Sequence, residues 1–412
     1  MTDEPAPGGG LREPSHMNVL HAASSYPLSS GDSTAPFMGE MLRALVDAGP
    51  QVTIVVPGVR GLATGVREGV SVVAAPYAPS RFQTWGYGRS LDENGRLLPS
   101  ALALTPVALT SMTAGVRREI RRNRPDVVHL HWVLPTGAIA LAVPKSIPVV
   151  VSVHGADAKF MRGRFRPLAR RVLARADALI AASSNILDIV AEVHPGARTK
   201  SRVIPHGADS RLFEGVDRLS ARETLGIAQD RRVVLGVGRL VGKKGFSVLL
   251  EAMSSIVDPS VELVIVGDGP DRQRLTSAAG DRVRFPGQAS RLEVATWMAA
   301  ADVVAVPSVE NAGDIDSGPV VLIEAMAAGR AVVATPVGMA PDVIEDDVNG
   351  FMVKSTHPSE LAAAISTALE SSQRLGEGAR RKFEEMGDWS RVAADLVDVY
   401  EAAIDRRSRA AR

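Results

Sequence analysis

Two consecutive parallel α/β domains, each an open doubly wound sheet, are what this sequence predicts. Three observations carry that expectation. From residue 17 onward, short β-branched runs alternate with helical patterns, as in parallel α/β units. Several of those runs are continuous Val/Ile stretches without polar alternation, the pattern of strands covered on both faces. Finally, 412 residues exceed what one hydrophobic core usually supports.

The first domain, expected over residues 16–210, follows a Pro-, Gly- and acid-rich stretch at 1–15 that reads as a disordered tail without the basic-then-apolar layout of a signal peptide. Strands are expected at 18–22, 52–56, 70–74, 127–130, 148–153, 178–182 and 201–204, with helices at 38–48, 111–123 and 165–174. The pattern pauses near 209–214. A second domain over 211–387 then offers strands at 233–237, 262–266, 283–286, 302–307 and 331–335. Its expected helices span 246–255, 270–279, 292–300, 319–328 and 358–371. A last helix at 391–406, after the break at Gly387-Asp388-Trp389, is expected to pack back across the junction as part of a 388–412 segment. Two such sheets leave a cleft between them, and the C-terminal ends of their strands are the usual ligand edge.

Composition narrows the chemistry. Apolar residues at 45% and charged ones at 23% describe an ordinary soluble globular chain. Lys+Arg of 47 against Asp+Glu of 46 requires no nucleic-acid partner. The absence of cysteine excludes a disulfide framework, thiol catalysis and thiolate metal sites, and fits a reducing cytoplasm. The longest mostly uncharged run, 127–143, holds His129, His131 and Pro135 and is too short and too polar to span a membrane.

The organising stretch is Asp316-Ser317-Gly318-Pro319 followed by a helix-forming run to Glu324 and on to Gly329. Proline suits the first turn of a helix, so Asp316 falls in the preceding loop and Glu324 one turn in. Free backbone N–H groups and the helix dipole then face whatever Asp316 touches, a seat for an anionic or polyhydroxyl ligand. A capped surface helix with an acidic first turn is the plain alternative. Gly236 to Gly245 supplies Arg239 and Lys244 on a glycine-rich strand-to-helix turn, a pairing suited to a diphosphate, or else a solvated basic loop. His154-Gly155-Ala156-Asp157 closes a strand and fits polar recognition, although a lone histidine there is often structural. The loop around Gly31 presents backbone N–H groups but is neither a Walker loop nor a dinucleotide fingerprint. Val266-Gly267-Asp268-Gly269-Pro270 is read as turn geometry, and Ser308 as a residue lining the same cleft as Asp316. Arg-rich patches at 117–124 and 162–175 are solvated helix faces or a surface for anionic membrane lipid.

The ordered set resembles the retaining, nucleotide-sugar-dependent glycosyltransferases of the GT-B fold, family 4, from Met17 to about Arg406. Its members are the Gly31 loop, His-Gly-Ala-Asp, Gly-Arg-Leu with Lys-Gly, Val-Gly-Asp-Gly-Pro, Pro-Ser, and acid-x7-Glu-Ala-Met-Ala-x-Gly. The resemblance implies two Rossmann-like domains facing each other across a cleft, with a UDP- or GDP-sugar donor and no metal. It places Arg239 and Lys244 on the donor diphosphate and Glu324 on the ribose. Asp316 would meet sugar hydroxyls near the N–H groups of Ser317 and Gly318, His154 would sit beside the sugar, Asp157 would lie toward the acceptor, and Gly31 would approach the phosphates. The acceptor is a hydroxyl of a glycan, a glycolipid or a small molecule. The expected location is cytoplasmic, with possible contact at the inner face of the plasma membrane. Asp316 stands where this family usually has Glu, Pro319 removes a nearby donor, and Gly31-Asp32 replaces a double glycine. Asp314-Ile315-Asp316 has metal-site spacing and is read as incidental. A nucleotide-sugar 2-epimerase shares the architecture without this residue set, and a catalytically silent sugar-nucleotide binder is the reading from another class.

Overall fold

Strand order decides where this molecule can bind a ligand. A computed structural model describes residues 17–29, 35–62, 64–87, 98–155, 157–310, 316 and 319–411. Its first sheet contains β1 (Asn18–Ala22), β2 (Gln51–Pro57), β3 (Gly65–Arg67), β4 (Val70–Ala75), β5 (Val127–His131), β6 (Val149–Val153), β7 (Ala178–Ala181) and β8 (Ser201–Val203). These lie in the order β3-β4-β2-β1-β5-β6-β7-β8, every pair parallel except the short β3–β4 ladder. The second sheet is wholly parallel: β9 (Arg232–Val237), β10 (Val261–Val266), β11 (Val283–Gly287), β12 (Val303–Val306), β13 (Ala331–Ala334) and β14 (Gly350–Met352), in the order β11-β10-β9-β12-β13-β14. In both sheets the order reverses beside the first strand, between β1 and β5 and between β9 and β12. Such reversals open a crevice at the strands' C-terminal ends.

Successive strand residues bury against opposite layers, which is why the strands lack polar alternation. Leu20 and Val128 join a core with the helices Pro99–Asn123, Arg166–Arg175 and Ser184–Val193, whereas Val19 and Val127 join one with the helices Pro36–Asp47 and Trp389–Ala411. In the second domain Val233 and Leu235 pack against one layer and Val234 against the other. Each fully buried Val or Leu of this kind contributes roughly 1.5–3 kcal/mol.

The helix Trp389–Ala411 leaves the second domain directly after the helix Ser372–Met386 and lies on Pro36–Asp47 of the first. Trp389 Nε1 donates to Glu40 Oε2 at 2.6 Å, and Arg202 pairs with Asp395 at 2.6 Å. Elsewhere Ser184 N donates to Asp342 at 2.8 Å, a second tie between the domains.

Several elements depart from expectation. The helix expected from 111 begins at Pro99, because Pro106 is accommodated inside it. Proline removes the N–H that would bond the Leu102 carbonyl one turn back, and the helix continues through that gap. Among the described residues this is the helix long and apolar enough to cross a membrane, and it packs Met112 and Val116 against the first sheet. The helix Ser372–Met386 was not anticipated, since Gly376 and Gly378 argue against one. A Cβ at Gly376 would collide with the Gly329 carbonyl, so glycine there permits close packing.

Candidate functional site

On the second domain, the turn leaving β9 is built to hold one ammonium at the switch point. Gly242–Lys244 forms a single 3-10 turn closed by Gly245 at φ 67°. A side chain at Gly245 would collide with the Pro307 carbonyl, and Val309 N donates to Lys243 O at 2.8 Å. The turn is thereby clamped onto the exit of β12. Lys244 Nζ consequently lies 2.7 Å from Asp316 Oδ2, which also accepts from Ser308 Oγ at 2.8 Å. Thr335 Oγ1 in turn donates to the Ser308 carbonyl. Burial alone would raise the Asp316 pKa. Lys244 and Lys243, with hydrogen bonds from Lys244 and Ser308, outweigh it and hold the carboxyl below its ordinary value. Asp316 is an ionised acceptor.

Glu324 follows in the helix Val320–Ala327, and burial pushes its carboxyl above the ordinary value against the pull of Arg291 and Lys244. Arg291 Nη2 lies 3.8 Å from Glu324 Oε1, and the same guanidinium pairs with Glu40 of the first domain. A pocket of about 720 Å³ opens at this junction, lined by Tyr26, Ser29, Gly39 and Arg43 from one side and Arg291 and Leu292 from the other. That volume suits a ligand of ordinary metabolite size.

The first domain's strand tips carry imidazoles instead of ions. Register places His21 of β1 beside His129 of β5. His21 Nδ1 and His131 Nε2 are 3.1 Å apart, and His131 Nδ1 and His154 Nε2 are 3.2 Å apart. His129 bonds Tyr400 and Ser152, each at 2.7 Å. Burial lowers His21 to about 3. Burial, then the neighbouring imidazoles, brings His129, His131 and His154 well below the usual range. Trp132, Phe37 and His206 surround the His154 ring at centroid distances of 5.0, 5.4 and 5.8 Å. Asp157 is buried and turned inward, accepting from Val133 N at 2.7 Å and His154 N at 3.1 Å. Burial raises it to about 6 although those amide bonds oppose the shift.

Of the residues singled out from sequence, Lys244, Asp316, Ser308 and Glu324 are brought together. Arg239 sits on the same loop with an exposed side chain, and its guanidinium makes no ion pair among the described residues. His154 stands at the tip of β6, while Asp157 braces the backbone around it. Gly31, Ser317 and Gly318 lie outside the described residues. Sequence reading missed the roles of His21, His131 and Tyr400 in the imidazole cluster and of Glu40 and Arg291 at the domain junction. The His-x-His spacing on a strand was the available signal for His129 and His131, because residues two apart share a face. Nothing local marks Glu40 or Arg291.

Two Rossmann-type sheets with facing switch points define the GT-B class of glycosyltransferases. The architecture is shared with sucrose-phosphate synthase from Thermosynechococcus elongatus, at TM-score 0.76 and 20% identity, covering 96% of this chain and 100% of that one. It is shared too with Anabaena HepE in complex with UDP-glucose, at TM-score 0.68 and 20% identity, covering 93% and 99%. The description "Glycosyltransferase Family 4" matches residues 36–212 and "Glycosyl transferases group 1" matches 217–386. A D-inositol 3-phosphate glycosyltransferase of Xylanimonas cellulosilytica is 30% identical over 404 residues, covering 89% of this chain and 91% of the relative. The chain belongs to glycosyltransferase family 4.

Proposed function

We propose that the protein moves a sugar from a UDP- or GDP-linked donor to an acceptor hydroxyl, with retention at the anomeric carbon and without a metal. The observation that carries this reading is the Lys244–Asp316–Ser308 cluster at the β9/β12 switch point. An ammonium held there meets the diphosphate, and Arg239 on the same loop reaches it from solvent. As the diphosphate takes up Lys244, Asp316 is released to accept from sugar hydroxyls, with the N–H groups of Ser317 and Gly318 close in sequence. Glu324 accepts from the ribose, His154 stands beside the sugar, and the Gly31 loop approaches the phosphates. Asp157 acts from behind, through the loop it braces.

In the reaction the bond between the anomeric carbon and the diphosphate oxygen breaks. A bond from the acceptor oxygen forms on the same face. The hydroxyl proton passes to the departing diphosphate, whose growing charge Lys244 and Arg239 stabilise. A hydroxyl in cell-envelope glycolipid or polysaccharide is the first acceptor reading, supported by exposed Leu102 and Val107 on the helix that carries the 117–124 arginines. That face suits peripheral contact with the cytoplasmic leaflet. In the 162–175 patch, by contrast, Arg162 and Arg175 are already paired, with Glu192 and Asp177. A small polyol acceptor is the second reading, supported by the likeness to the D-inositol 3-phosphate glycosyltransferase of Xylanimonas cellulosilytica. A thermal-shift panel of nucleotide sugars identifies the donor, since a bound ligand raises stability by mass action. The anomeric configuration of the product then tests retention. An inverted product, or no nucleotide sugar that stabilises the protein, would overturn the proposal.

A further inference from the structure

A second cavity, of about 610 Å³, lies on the second domain at the end of the sheet opposite the candidate site. Its lining includes Asp302, which precedes β12, and Arg330, which precedes β13, so it opens at the N-terminal ends of those strands. Ser308 and Asp316 lie past the other end of β12, and a strand of its four residues spans roughly 13 Å. The cavity is therefore no extension of the cleft. Four guanidiniums line it, those of Arg218, Arg330, Arg380 and Arg381, against the carboxylates of Asp302 and Glu377.

Those carboxylates do not balance the arginines. Asp302 is fully committed: Arg218 pairs with Oδ1, while Oδ2 accepts from buried Arg222 at 2.9 Å and from Val233 N at 2.7 Å. Arg380 pairs with Glu384 at 2.8 Å. Glu377 is exposed, accepts from Gln373 at 3.4 Å, and pairs with no arginine among the described residues. Arg330 and Arg381 are left without a carboxylate. Arg330 spends Nε on the Ala328 carbonyl at 2.9 Å and Nη1 on those of Ala299 and Ala301 at 3.3 and 3.2 Å. Arg380 Nη1 donates to the Ala327 carbonyl at 2.6 Å. These bonds cap helix ends, as cations at C-termini do. Among the described residues they leave Nη2 of Arg330 and of Arg380 without a hydrogen-bond partner, and neither nitrogen is sealed from solvent. Arg381 is exposed and wholly uncommitted. Burial, then the charges of Arg218 and Arg222 against the pull of Asp302, holds the Arg330 guanidinium below its ordinary value. The cavity carries more positive charge than its surroundings neutralise.

We propose that this cavity is a binding site for a phosphate group. Two guanidiniums lack a carboxylate, and a phosphate monoester near neutral pH carries close to two negative charges. Its terminal oxygens accept from several N–H groups at once, which suits planar guanidinium forks. The volume lies within the range of small-metabolite sites, so the group can arrive as the free ion or on a sugar. Arg330 and Arg381 supply the unmatched charge, and Arg380 adds its free Nη2.

Titration calorimetry of the full chain with glucose 6-phosphate, inorganic phosphate and glucose tests this. The phosphate-bearing probes should bind saturably and glucose should not. Phosphate in the cleft is the rival, so the titration is repeated on Lys244→Ala, where affinity should stay within about twofold of wild type, as for distant independent sites. Arg381→Glu alters an exposed side chain and should raise the dissociation constant about tenfold or more, the loss of one charge-assisted hydrogen bond. Arg330→Lys keeps a cation at the helix end but loses the fork, and should weaken binding in the same sense. Tighter binding of glucose 6-phosphate supports a phosphorylated sugar as the occupant, and equal binding supports the free ion; the phosphate site stands in both cases. No saturable binding, glucose bound as well as its phosphate, or affinity lost in Lys244→Ala and kept in Arg381→Glu would overturn the inference. Only binding is read, so the result stands whether or not the protein transfers sugar.

Discussion

Mild acid should destabilise this protein strongly, and the buried imidazoles set the size of the effect. His21, His129, His131 and His154 are neutral in the fold, with His21 lowered to about 3 and the others well below 6.5. In the unfolded chain the same rings return to the ordinary value and take up protons below it. The unfolded state therefore binds more protons as pH falls, and stability is lost in that direction. One pH unit below 6.5, each ring that stays neutral in the fold removes about 1.4 kcal/mol, so four remove at most about 5–6 kcal/mol. Asp157 opposes them. Its folded value of about 6 lies above the ordinary 3.8, so it gains a proton on folding and adds about 0.8 kcal/mol at pH 5.5. Burial of Glu324 raises its carboxyl and acts in the same sense as Asp157. The net loss is at most about 4–5 kcal/mol between pH 7 and 5.5, a large share of the 5–15 kcal/mol typical of folded domains. Urea unfolding at both pH values, followed by tryptophan fluorescence, measures it. Stability that holds or rises at pH 5.5 would refute the neutral-imidazole account. His129→Gln should reduce the slope of stability against pH, provided the variant folds.

Three other perturbations test the site. Lys244→Ala should lower transfer by roughly a hundredfold, in the range seen when one charge-stabilising group is removed, while the unfolding midpoint moves little by comparison; wild-type turnover would take the ammonium out of the reaction. Glu324→Ala should weaken nucleotide affinity about tenfold in calorimetry, the loss of one or two hydrogen bonds, and unchanged affinity would end the ribose assignment. Sedimentation with vesicles rich in anionic lipid should bring the protein down at low salt and release it at high salt; equal recovery with neutral vesicles would argue against the arginine face.

The legible part of the fold was the part with a repeating pattern. Val233–Val237 reads as a doubly covered strand because it carries no polar side chain, and the structure buries such runs on both sides. Pro106 and Gly376 carried the opposite message, since each disfavours a helix locally; burial of Ala108, Met112 and Val116 against the first sheet and close packing at Gly329 override that preference, and neither is encoded nearby. The site divided in the same way. Lys244, Asp316 and Glu324 stand on strand-to-helix turns, where position alone suggests a ligand edge. Glu40 and Arg291 are 251 positions apart and meet only because one helix crosses between the domains, so no local pattern could pair them. Asp157 shows the limit from the other side: a carboxylate in a motif looked free to act, yet its oxygens lie on two backbone amides.

The two domains repeat one strand order but not one chemistry, and the difference bears on how a cleft can hold an activated sugar. At β9/β12 the groups are ionic, and Lys244 is already matched by Asp316; under the proposed function an arriving diphosphate must compete for an ammonium that has a partner. That competition weakens ground-state binding. It becomes favourable as charge accumulates on the leaving group, because a fuller negative charge outcompetes the fixed carboxylate. At β1/β5/β6 the groups are uncharged imidazoles within an aromatic surround, which under the proposed function add no positive charge near the sugar. A cation there would oppose an oxocarbenium-like state through a low-dielectric cleft. Under the proposed mechanism, keeping the histidines neutral serves the same transition state that the lysine would stabilise. The acid sensitivity of the fold follows from the same arrangement.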